Sequence, residues 1–257
     1  MRHDQAEGLR RLFAAPKPRV ITMLSNLPDA DRDMLLVNLS VALQKTGNEV
    51  LLVDARSTSS GIASRVDAPM RLSLAEAVRG NLPLDNVVSQ IPQGCQLMTL
   101  IQKWETLNAI NPVSLAQGFE IVARNSRIIL IDGETTKDGS FPLPAMGSGE
   151  IVLQLTSNHS SIKSAYALLK RLNASLGRRS FSILVTGASV QEANIVSRNL
   201  IEAANRHLAV SLNCLGWIPA GIHLGNAERM EMAVVNAFPF AAAAIAFRRI
   251  AENLVSI

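Results

Sequence analysis

The chain has 257 residues, with 25 Lys+Arg against 21 Asp+Glu for a formal net charge of +4, and 48% of its residues are hydrophobic. A chain of this size and composition buries most of its unfolded surface in a core, which excludes a disordered protein and a small disulfide scaffold. The two cysteines, Cys95 and Cys214, stand far apart with no Cys or His at ligand spacing, so neither a metal centre nor a disulfide framework is expected, and a reducing cytoplasm is the default compartment.

From the N-terminus, residues 1–13 carry charges where a secretory leader needs an apolar stretch, and the breaker Ala15-Pro16-Lys17-Pro18-Arg19 separates them from the remainder of the chain. Beyond it, short β-rich runs alternate with helical patterns, as in βα units around a mainly parallel sheet. The expected strands are Val20–Leu24, Glu49–Asp54, Gln96–Leu100, Arg127–Asp132, Glu150–Leu155, Phe181–Thr186 and Ser211–Ile218. Several are continuous apolar runs, as strands covered on both faces require. The expected helices are Met34–Lys45, one opened by the capping box Ser73-Leu-Ala-Glu76, then Pro112–Asn125, Ser161–Leu176, Gln191–His207 and Phe240–Leu254. The expected organisation is a short extension, residues 1–18, and one α/β domain over 19–257. Gly133–Gly149, with Pro142, Pro144 and four glycines, reads as the one long irregular loop and a candidate partner or switch surface.

The 25 basic residues comprise 19 Arg and 6 Lys, but Arg178-Arg179 and Arg248-Arg249 are isolated pairs. With no clustered basic face and few, scattered aromatic residues, nucleic-acid binding is not expected. The longest apolar run, Ala237–Phe247, is too short for a membrane span. The four histidines share no spacing that assembles a catalytic group or a metal site.

Several motifs carry a resemblance. Leu51-Leu-Val-Asp54-Ala55 closes a second strand, Arg127–Glu134 reads RIILIDGE, residues 156–172 read TSNHSSIKSAYALLKRL, and Leu215–Pro219 reads LGWIP. In that order they resemble the MinD/ParA (SIMIBI-type) P-loop ATPases, with Asp132 in the Walker B position, across roughly residues 19–255. The resemblance implies a P-loop NTPase-like α/β fold, with a mainly parallel sheet of about seven strands and helices on both faces. At the N-terminus, Asp4-Gln5-Ala6, with Leu9 and Arg10, is similar to the segment of the FlhG group, MinD-like regulators of flagellar number and placement. In that group the segment engages FlhF, a signal-recognition-type GTPase, and stimulates its hydrolysis. The resemblance implies Asp4, Gln5, Leu9 and Arg10 as partner-binding residues, with Gln5 at the activating position. It also implies flagellar basal-body or regulatory proteins as further partners, and a cytoplasmic location with contact at the inner membrane or cell pole.

A phosphate-binding loop needs glycines that let backbone N–H groups close around the anion, a Lys for charge and a Ser/Thr hydroxyl for magnesium. The family's loop would read Lys-Gly-Gly-x-Gly-Lys-Thr; the matching positions are Leu27, Pro28, Asp29, Ala30, Asp31, Arg32 and Asp33, and none keeps the pattern. Three carboxylates stand where a triphosphate would lie. Losing two lysine contacts at about 1.5–3 kcal/mol each removes roughly two to four decades of affinity. The acids are expected instead to complement and cap the N-terminus of the adjoining helix. Asp54 and Asp132 are expected to be vestigial, held by nearby N–H groups, and Thr186-Gly187 stands where relatives carry an Asn-Arg pair at adenine.

The leading expectation is a FlhG-like regulator or scaffold of flagellar assembly without useful ATPase activity, with no cofactor or metal, acting through protein contacts as a monomer or a nucleotide-independent dimer. One alternative is an active MinD-like ATPase using Mg-ATP through Arg32, Asp54 and Asp132; another is a non-flagellar polarity or partition adaptor. The final segment, with Phe247, Ile250, Leu254 and Ile257 on one face, is expected to pack on the core, with membrane contact weak at most.

Overall fold

The computed structural model describes residues 17–56, 61–66, 68–69, 71–103, 107, 109–136 and 139–256. Apolar runs form eight strands in one sheet: β1 Arg19–Ser25, β2 Val50–Asp54, β3 Val88–Gln90, β4 Gln96–Thr99, β5 Ile128–Gly133, β6 Glu150–Leu155, β7 Phe181–Thr186 and β8 Leu212–Ile218. The order across the sheet is β3-β4-β2-β5-β1-β6-β7-β8, and every neighbouring pair is parallel except β3 with β4. The antiparallel edge strand β3 is the one the sequence did not announce; three residues leave too little pattern to read.

Helices cover both faces, because strands buried on both sides demand it. Helix α1, Asp29–Gln44, and the C-terminal helix, α10, Ala242–Ser256, lie together on one face, where Leu36, Leu39, Phe247 and Leu254 share a core with Ile21, Leu52 and Leu130. Burying each such side chain contributes about 1.5–3 kcal/mol. The final helix therefore packs on the domain as its apolar face requires; Ile257 lies outside the described residues.

The opposite face carries α3 (Leu74–Arg79), α4 (Pro112–Ala123), α6 (His159–Leu176) and α7 (Val190–Leu208), set against Leu51, Val53, Ile129, Ile131, Leu153 and Ile183. Ser73 and Glu76 close a reciprocal capping box at the start of α3, as the sequence predicts. Ser189 and Glu192 form a second at α7. A short helix α2, Ile62–Arg65, comes after β2, and α8 (Ile222–Arg229) and α9 (Val234–Ala237) join β8 to α10.

The irregular stretch 133–149 is more ordered than its glycines and prolines suggest. Pro144–Ser148 forms a helical turn, α5, with Pro144 in its first turn, where its missing N–H costs nothing. Arg179 donates to the carbonyls of Gly147 and Gly149, and Ser175 Oγ to that of Gly139.

The largest departure from expectation lies at α1, which begins at Asp29 rather than Met34. With no glycine in 27–33, the chain has nothing to favour an open loop there, and Arg32 N–H already donates to the Pro28 carbonyl at 3.2 Å. Only Asn26, Leu27 and Pro28 separate β1 from the helix.

Candidate functional site

In an open parallel sheet the ligand crevice lies beyond the carboxyl ends of the strands, where neighbouring connections diverge. Here that point is the end of β1, flanked by β5 on one side and β6 on the other. The register pairs Asp54 of β2 with Asp132 of β5, and Met23 of β1 with the same Asp132, so both aspartates reach the crevice beneath the first turn of α1.

Arg32 descends from that turn onto them. Its Nε donates to Asp132 Oδ2 at 2.8 Å, Nη1 to Asp29 Oδ1 at 2.7 Å and Nη2 to Asp33 Oδ1 at 3.2 Å. The Arg32 side chain is 1% exposed, Asp132 1% and Asp33 0%, so the guanidinium's charge is answered inside the protein. Arg65 of α2, at 38% side-chain exposure, adds a bond from Nε to Asp33 Oδ2 at 3.0 Å and lies 3.5 Å from Glu228.

The aspartates differ in role from what their positions suggest. Asp29, Asp31 and Asp33 do not cap α1: its N-cap position is Pro28, and no side chain accepts a capping bond there. Asp29 and Asp33 turn to Arg32 because a guanidinium beside them outcompetes a backbone amide. Asp31 stays exposed. Asp54 accepts N–H bonds from Arg56 at 3.2 Å and from Ile62 at 3.0 Å. A Cβ at Gly61 would collide with Asp54 Oδ2, which is why the chain can close so tightly over it. Asp132, expected to hold backbone N–H groups, holds Arg32 instead, and its Oδ1 has no partner among the described residues.

Burial sets the protonation of this cluster. It pushes Asp132 up to about 7 against the pull of Arg32, with Asp54 nearby adding to the rise. It also pushes Asp54 up to about 6 against its two N–H bonds. Asp33 is raised by burial, offset in part by Arg32 and Arg65, whereas Asp29 is lowered by its hydrogen bond to Arg32. Burial works against the charge of Arg32, but Asp132, Asp29 and Asp33 outweigh it and hold Arg32 above its ordinary value.

Beside this cluster, Leu27, Asp31, Gln154, Thr186, Gly187 and Pro219 line a cleft of about 320 Å³. Thr186 thus lines the same cleft as Leu27 and Asp31 of the phosphate-loop position. Pro28 lies on the turn above, exposed. Asp4, Gln5, Leu9 and Arg10 lie outside the described residues. The sequence flagged Arg32, Asp54 and Asp132 separately; it gave no sign of Arg65, which has no motif of its own.

The sheet order, the crevice at the end of β1 and the helix rising from it define the MinD/ParA type of P-loop NTPase fold. The septum site-determining protein MinD of Pyrococcus horikoshii in complex with Mg-ADP superposes with a TM-score of 0.67 at 20% identity, covering 92% of this chain and 96% of that one. A ParA family ATPase of Chlorobium tepidum gives 0.70 at 16% identity, covering 93% and 99%. No family model matches the chain. The chain is similar to the antiactivator FleN of Pseudomonas aeruginosa, at 26% identity over 242 residues, or 93% of this chain and 86% of FleN. Among the described residues no helix is long and apolar enough to cross a membrane, and no group of three or more His, Cys, Asp and Glu is placed to hold a metal ion.

Proposed function

We propose that this protein is a FlhG-like regulator of flagellar assembly and placement that acts through protein contacts and does not bind or hydrolyse ATP. The observation that carries the reading is the Arg32 guanidinium, 1% exposed and bonded to Asp29, Asp33 and Asp132 at the end of β1. A phosphate there would have to displace three carboxylates from one cation and lie against them. The donor set fits Mg-ATP poorly. Leu27 and Pro28 offer no charge, Pro28 offers no N–H, and no Lys, Ser or Thr occupies residues 27–33 to meet phosphate or magnesium. Asp132 already spends one oxygen on Arg32.

Similarity to FleN supports the regulatory half of the proposal, since FleN is named an antiactivator. In this reading, residues 1–18 are the partner-binding extension and Asp4, Gln5, Leu9 and Arg10 engage an FlhF-like GTPase. The domain over 19–257 serves as the scaffold for flagellar or regulatory partners at the inner membrane or cell pole, as a monomer or a dimer formed without nucleotide.

Calorimetric titration with Mg-ATP tests the first half. The expected result is no saturable heat up to about 1 mM ligand, and micromolar affinity overturns it. The partner half is tested by adding the full chain to an FlhF-like GTPase: the expected outcome is stimulated GTP hydrolysis that Gln5→Ala abolishes. Stimulation that survives Gln5→Ala would remove the N-terminal segment from the mechanism.

A further inference from the structure

The two lateral edges of the sheet are built differently. At one, β3 is three residues long and runs antiparallel, and so short an edge gives another chain little to pair with. At the other, β8 runs seven residues with no charged residue and no Pro, and among the described residues no strand lies on its outer side. Successive side chains of a strand point to opposite faces, yet Asn213 and Cys214 are both exposed, whereas β6 and β7 are buried almost throughout.

The register shows which backbone groups of β8 are free. Phe181 N–H donates to the Ser211 carbonyl at 3.0 Å, and Phe181 stands opposite Leu212. In a parallel pair, alternate residues turn their N–H and C=O groups to the neighbour, so Ser211 and Asn213 face β7 while Leu212 and Cys214 turn theirs outward. Beyond Cys214 the regular edge ends: a bulge falls between the pairings of Cys214 and Gly216, and Asn253 of α10 reaches the Leu215 carbonyl at 3.5 Å. Two donors and two acceptors, on Leu212 and Cys214, are thus left for another strand. Beside them Asn213 shares an open hollow of about 500 Å³ with the uncharged Ser182 and Asn253, and Glu150 in the same lining is already bonded to Arg19 at 2.6 Å.

These groups complement a copy of themselves. A second strand related by a twofold axis at Asn213 sets Leu212 opposite Cys214 of the second copy and Cys214 opposite its Leu212, and each pair exchanges two N–H···O bonds. The two Asn213 residues then meet on the axis at a Cα separation of about 4.5 Å, where a carboxamide, donor and acceptor at once, pairs with its own copy. We propose that β8 is a self-association edge, along which two copies of this chain pair Ser211–Cys214 antiparallel and join their sheets into one. The edge is three strands away from β1, so the contact needs no nucleotide. It stands on the edge strand alone, and the regulatory reading above, which admits a monomer, survives its failure.

Sedimentation of the full chain without nucleotide, from about 1 µM to about 1 mM, tests this. The expected mass climbs from one chain to two with concentration and is unchanged by Mg-ATP. Asn213→Lys sets like charges against each other on the axis and is expected to weaken association at least about tenfold; because the side chain is exposed, the unfolding midpoint is expected to stay at the parent's. Asn213→Cys with Cys214→Ser reads the geometry without relying on that variant. Under oxidised glutathione it is expected to give a disulfide-linked dimer, since the Cα separation on the axis lies within disulfide range, whereas Ala174→Cys on the exposed side of α6, in the same background, is expected to stay single. A single-chain mass throughout, a dimer that forms only with Mg-ATP, association undiminished in folded Asn213→Lys, or no cross-link at residue 213 overturns the proposal.

Discussion

Two places on one edge of the sheet hold arginine in opposite ways. At the end of β1, Arg32 is buried and its charge is met by Asp29, Asp33 and Asp132. Farther along the same edge, Arg56, Arg71 and Lys103 line an open cavity whose one carboxylate among the described residues, Asp54, is bonded to backbone. The fold supplies the same crevice geometry to both. What differs is whether the protein supplies the counter-charge itself: it does so for Arg32 and, among the described residues, not for Arg71 or Lys103. A buried ion cluster of the first kind is weak evidence of net stabilisation, because desolvation opposes the Coulomb gain, but it is unforgiving of losing one member.

Arg32→Ala breaks the comparison hardest. It leaves Asp132 and Asp33 buried without their shared cation, and a loss of about 3–5 kcal/mol is expected in urea unfolding. In a double-mutant cycle with Asp132→Asn, the paired loss is expected to fall short of the sum by at least about 1 kcal/mol. Additive losses would mean that the two side chains only happen to be near each other.

The next effect is on pH dependence. Asp132 is pushed up to about 7 and Asp54 to about 6 from an ordinary value of 3.8, so the native state keeps protons that the unfolded chain has released. The native state therefore binds more protons across this range, and these two groups make stability fall as pH rises from about 4 to about 7 and level off above it. Asp132→Asn removes its share of that slope. Urea midpoints measured from pH 4.5 to 8 are expected to decline less steeply for the variant than for the parent. Parallel curves would show that Asp132 is ionised throughout, fully held by Arg32.

Much of this architecture is legible in the sequence and the chemistry of its site is not. The strands at 150–155 and 181–186 coincide with their apolar runs, because a strand covered on both faces writes its own boundaries. Ser73 and Glu76 could be paired on paper because a capping box spans three residues. Arg32 and Asp132 are 100 residues apart, and only the placement of β5 beside β1 brings them together. The start of α1 was hidden for a different reason. Likeness to a phosphate loop suggested open backbone at 27–33, whereas Asp, Ala and Arg without glycine simply continue the helix upstream. The residues that the resemblance singled out, 27–33, Asp54 and Asp132, do meet at one end of the sheet, but the backbone is helical from Asp29 onward.

The smallest expected effect separates the centre of the ion cluster from its rim. Arg65 is 38% exposed and reaches Asp33 Oδ2 at 3.0 Å, while Arg32 reaches the other oxygen of the same carboxylate at 3.2 Å. Arg65→Ala therefore leaves Asp33 with a buried cation, and water can reach the space the side chain vacates. A loss of about 0.5–1 kcal/mol is expected, in keeping with a partly exposed ion pair, and well below that of Arg32→Ala in the same urea titration. If the two losses prove equal, Asp33 rather than Arg32 is the member on which the cluster turns, and the counter-charge that closes the crevice comes from α2 as much as from α1.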